Sequence, residues 1–140
     1  MARTVAVTCM LLLSACRDAT APAGTVGIGV IEVPGQQSPA LVAPETVRVH
    51  VPFAITVHSW GANGCTQPES LNIRLTPLTA VLTPFERADT RTNCPDVIVL
   101  HSHPASLRFT AVGQATIWVR GAISFGSEID SVHATLTVVP

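Results

Sequence analysis

The sequence predicts an all-β domain, a sandwich of about seven to nine short antiparallel strands. Three observations lead there. Apolar and polar residues alternate with period two in several separate runs. Successive strand side chains point to opposite faces, so this alternation gives each strand one core face and one wet face. Turn-forming Gly, Pro and Asn clusters break these runs at the roughly 8–12-residue spacing of sandwich folds. No stretch after residue 16 shows the 3.6-residue period of a helix.

The chain opens with a segment of a different kind. Residues 1–16 fall short of the about 20 apolar residues that a membrane-spanning helix needs, but they have the anatomy of a secretory leader. Arg3 supplies the positive charge, Val5 to Leu13 form an apolar run broken only by Thr8, and Ser14 and Ala15 are small. Leu13-Ser14-Ala15-Cys16 resembles the lipobox of bacterial lipoproteins. The resemblance implies diacylglycerol on the Cys16 thiol, cleavage between Ala15 and Cys16, and Cys16 as the first residue of the mature chain. It implies a bacterial cell-envelope location, with Arg17 after the cysteine pointing to the outer rather than the inner membrane. At about 0.8 kcal/mol per buried methylene, two or three acyl chains anchor durably. The resulting division is 1–15 signal peptide, 16–25 lipidated cysteine and flexible tether, and 26–140 folded domain. Asp18 to Gly24, small and Pro-bearing, is the tether.

Within the domain, Val26 to Val33 is β-rich but weakened by its glycines, and residues 34–39 form a turn or loop. From Thr46 to Trp60, Val47, Val49, Val51, Phe53, Ile55 and Val57 share one parity, with Arg48, His50, Thr56 and His58 on the other. Pro52 marks a bend in that run. Leu71, Ile73 and Leu75 form a further strand, and Leu78 to Leu82 another that ends near Pro84. Residues 86–95 are polar enough for a loop, and Val97 to His101 apolar enough for a central strand. Leu107 to Ala111, Ala115 to Val119 and Val132 to Val138 complete the set. Phe109, Ala111, Gly113, Ala115, Ile117 and Val119 resemble the closing strands of bacterial immunoglobulin-like domains. That resemblance implies an immunoglobulin-like sandwich and carries no activity.

Composition narrows the function. A mature chain of 125 residues suits one domain. The formal net charge of −1 argues against nucleic acid as a partner. All eight basic residues are arginine. Of four cysteines, Cys9 leaves with the leader and Cys16 takes lipid, so Cys65 and Cys94 remain. In an exported chain such a remainder reads as one disulfide. The alternatives are two free thiols or two metal ligands, and 28 intervening residues rule out a CxxC motif.

His101 and His103 stand two apart in a strand, so both imidazoles share a face. They are candidate ligands for zinc or copper, with His50, His58, His133, Glu128 or Asp130 as a third. The alternative is an exposed strand end before Pro104. Trp60 and Trp118 are either recognition aromatics or caps on the sandwich. Arg48, Arg74, Arg108 and Arg120 all fall on outward parities. No nucleophile elbow, phosphate-cradling loop or H-E-x-x-H motif is present. The expectation is a membrane-anchored envelope lipoprotein whose domain is a non-catalytic binding or structural module for a protein or glycan, without cofactor. The alternative is a periplasmic zinc- or copper-binding lipoprotein using His101 and His103.

Overall fold

The computed structural model describes residues 24–89 and 93–140. The expected signal peptide, the expected Ala15–Cys16 cleavage site, the expected lipidation site Cys16 and residues 16–23 of the expected tether lie outside the described residues. The described chain is all-β. Its strands are β1 (Gly24–Ile28), β2 (Val30–Glu32), β3 (Leu41–Val42), β4 (Thr46–Arg48), β5 (Phe53–Gly61), β6 (Gln67–Leu75), β7 (Thr79–Asp89), β8 (Val99–Leu107), β9 (Gly113–Ile123) and β10 (Ile129–Val139).

One continuous ten-stranded sheet folds over itself as two limbs. In the first, β6 pairs with β7, β7 with β1 and β9, β9 with β10, and β10 with β4. In the second, β5 pairs along its length with β8 and, on its other side, with β3 and β2. The inward parities of both limbs meet in one core. Ile55 and Val57 of β5 and Leu107 of β8 pack with Leu82 of β7, Ile117 and Val119 of β9, and Leu136 and Val138 of β10. Each such side chain, fully buried, contributes about 1.5–3 kcal/mol of transfer free energy.

The structure departs from expectation in strand number, in strand direction and at two prolines. There are ten strands rather than seven to nine, because three of them are only two or three residues long. The sheet is mixed rather than antiparallel, since β7 and β9, β2 and β9, and β4 and β10 pair in parallel. β9 and β10 pair antiparallel as the closing hairpin.

Gly24 and Thr25, within the expected tether, pair with Asp89 and Ala88 at the beginning of β1. Finally, β7 and β8 run through Pro84 and Pro104 instead of ending at them. β8 is an edge strand, where a missing N–H leaves no ladder bond unmade. Pro84 falls where the neighbour of β7 changes from β9 to β1, and its carbonyl accepts from Gly29 N at 2.8 Å.

Gly29 and Gly121 make the crossing between limbs possible. The chain changes neighbours at Gly29, whose carbonyl accepts from Ala122 N at 2.9 Å. A Cβ on Gly121 would stand 2.3 Å from Ile31 Cγ2 and 2.7 Å from Gly29 O, so only glycine lets the backbones pass so closely. Across this crossing Val30, Val33, Trp60 and Ala122 form a second, smaller core.

Candidate functional site

At one end of the sandwich the inward parities of three strands deliver polar side chains instead of apolar ones. Along β5, Ile55 and Val57 are followed on the same face by Ser59; along β7, Ala80, Leu82 and Pro84 are followed by Glu86. β8 places His101 and His103 beside them, with Ser59 opposite His101 and Val57 opposite His103. His103, Ser59 and Glu86 are buried, and the His101 side chain is 11% exposed.

The four side chains form one hydrogen-bonded cluster. His101 Nδ1 lies 2.6 Å from Glu86 Oε2, and His103 Nε2 lies 3.1 Å from Glu86 Oε1 and 2.8 Å from Ser59 Oγ. The Ser59 hydroxyl donates to Glu86 Oε1. A carboxylate only accepts, and Ser59 has a single proton, already given to Glu86. His103 Nε2 therefore carries a hydrogen and shares it between Ser59 and Glu86, and His101 carries one on Nδ1. Burial alone would push the Glu86 carboxyl up. The bonds from His103 and Ser59, with the charge and hydrogen bond of His101, outweigh it and hold the group below its ordinary value.

This wiring differs from a serine–histidine–acid relay. There the base takes the hydroxyl proton on one nitrogen and meets the acid through the other. Here both partners meet the same nitrogen of His103, and the hydroxyl points at the acid. Nor does the cluster converge on a cation. Among the described residues no three His, Cys, Asp or Glu side chains are grouped to hold a metal ion. The His101 and His103 nitrogens that face inward each contact a Glu86 oxygen, with the carboxylate between them. The expected third ligands lie elsewhere. His58 Nδ1 is 2.9 Å from Pro39 O, His133 stacks on Trp118 on the outer face, and His50 sits in a turn with φ of 63°. Glu128 and Asp130 are exposed, at and beside the β9–β10 turn, and neither is hydrogen-bonded to His101 or His103.

The cluster is closed from above. A Cβ at Gly61 would come within 2.8 Å of His101 Cε1 and of Thr66 Cβ, so the glycine leaves just enough room for the imidazole. The turn after Gly61 is fixed by Asn63 Oδ1, which accepts from Cys65 N at 2.9 Å, and by the Cys65–Cys94 disulfide. The cross-link ties the β5–β6 turn to the β7–β8 connection, with Gly64 N donating to Pro95 O at 2.9 Å.

Sequence reasoning paired Cys65 with Cys94 and put His101 and His103 on one face, but it missed Glu86 and Ser59. The signal was the inward parity of β7 running on through Pro84 to a charged residue. Trp60 is buried in the second core, whereas Trp118 stays 37% exposed. Of the four outward arginines, Arg74 and Arg120 meet at one surface depression, and Arg108 lines another at the end opposite the polar cluster. No family model, curated protein or solved structure matches this chain.

Proposed function

We propose that this chain is a bacterial envelope lipoprotein, anchored through Cys16, whose β-sandwich is a non-catalytic binding module. The observation that carries the reading is the Cys65–Cys94 disulfide. A disulfide persists in oxidising compartments, which agrees with a leader ending in Leu13-Ser14-Ala15-Cys16. The non-catalytic part is supported by the wiring of Ser59, Glu86, His101 and His103, in which the serine and both histidines converge on the one carboxylate. On this reading the cluster fixes the geometry of the sandwich end nearest the anchor. β1 begins there, with Gly24 opposite Asp89, three residues along β7 from Glu86.

Cys16→Ser tests the anchor. The wild type should incorporate labelled palmitate and sediment with membranes. The variant should lose the label and either appear in the released fraction or accumulate as unprocessed precursor. A Cys16→Ser protein that still labels and sediments like wild type overturns the assignment.

A further inference from the structure

The outer face of the first limb carries a row of side chains that the fold itself does not use. Register places Arg74 of β6 opposite Val81 of β7, Val81 opposite Trp118 of β9, and Trp118 opposite His133 of β10. Beside it Asn72 stands opposite Thr83, and Arg120 opposite Ser131. The two rows contain no Asp or Glu. Arg74 and Arg120 line one depression of about 170 Å³, together with Asn72, Thr83 and Phe85. Among the described residues neither guanidinium has a carboxylate partner, whereas the nearby Arg87 is held by Glu69, with Nε 2.7 Å from Oε2. Two like charges around one concavity repel each other, and an anion between them removes that cost. A guanidinium matches carboxylate and phosphate oxygens in a bidentate fork.

Trp118 adds the second half of the site. Its indole is 37% exposed and is braced by the His133 ring, whose centroid is 4.5 Å away at a tilt of 38°. A braced, half-exposed indole is a rigid apolar platform that loses little entropy when something lies on it. The C–H face of a sugar ring suits such a platform, and Asn72, Thr83 and Ser131 offer hydroxyl and amide partners around it.

We propose that this face binds an acidic saccharide, with Arg74 and Arg120 pairing its anionic group and Trp118 lying against its ring. The proposal rests on the binding-module reading above and is independent of the lipid anchor. The anionic group is a carboxylate or a phosphate, and the probes separate the two.

The test uses the full-length protein in detergent, titrated with galacturonic acid oligomers, a phosphorylated oligosaccharide, neutral maltose oligomers and polyglutamate, and read by tryptophan fluorescence and calorimetry. One acidic saccharide should bind at least tenfold more tightly than the neutral one, weaken as salt rises, and change Trp118 emission. Arg74→Gln with Arg120→Gln should reduce that affinity at least tenfold at unchanged Tm, since both side chains are exposed. Trp118→Ala should abolish the emission change and weaken binding. If neither acidic saccharide binds, if the double variant binds like wild type, or if polyglutamate binds as tightly, the proposal is overturned. Palmitate labelling of the same preparation reports on the anchor separately, so either reading can fail alone.

Discussion

Glu86 is 8% exposed and accepts hydrogen bonds from three side chains on two other strands. Removing it strips two histidines and a serine of their acceptor inside the fold, and each buried donor left without an acceptor costs about 1–3 kcal/mol. Glu86→Ala should therefore lower the denaturant midpoint far more than Glu69→Ala, which removes an exposed partner of Arg87. Because the Glu86 carboxyl sits below its ordinary value of 4.5, its contribution is complete above that pH and is lost as pH falls through the lower, folded value. Chemical denaturation across pH 3–7 should show wild type losing more stability below about pH 4.5 than Glu86→Gln. Equal acid slopes would refute the linkage. At this scale the sequence was half legible. Both histidines share a face as period two requires, but Glu86 reads as loop because Pro84 precedes it and polar residues follow. Only the neighbouring strands reveal that Pro84 leaves no ladder bond unmade there.

The strands divide by length in the same way. β5, β9 and β10 carry long alternating runs and are readable because each buries one face along most of its length. β2, β3 and β4 are two or three residues long and exist through partners distant in the chain, as when β3 lies against Thr56 and Val57. β6 alternates in sequence yet is mostly exposed, because as an edge strand its inward face is only partly covered. The β2–β9 crossing depends on the absence of a side chain. Gly121→Ala would force Cβ into Ile31 and the Gly29 carbonyl, a clash with backbone that cannot be relieved by a rotamer change. Overpacking of this kind costs about 1–3 kcal/mol. The expected result is a Tm lower by several degrees, with Gly27→Ala, where a Cβ meets nothing within 4 Å, as the control.

Over the whole molecule, the disulfide joins two connections that the sheet alone leaves free to separate. Closing a loop of this length contributes about 3–4 kcal/mol by chain-entropy reckoning. Unfolding with and without reductant should differ by that amount, and Cys65→Ser/Cys94→Ser should match the reduced protein. Indistinguishable midpoints would show that the hydrogen bonds around Asn63 and Pro95 suffice. The pairing was legible because the lipobox resemblance assigns Cys9 to a leader and Cys16 to lipid, which leaves Cys65 and Cys94. The mixed topology was not, because periodicity tells which face of a strand is buried and is silent on which strand lies beside it.

The change of neighbours at Gly29 bears on the order in which the ladders can close. The opening strand lies against residues 85–89, and Val30 lies against Ala122. As the chain is made from its N-terminus, β1 needs only residues up to 89, whereas β2 cannot complete its ladder until residues 122 and 123 are present. Until then the side of β2 that faces β9 stays unpaired, and β4 waits longer still, for Thr137 to Val139.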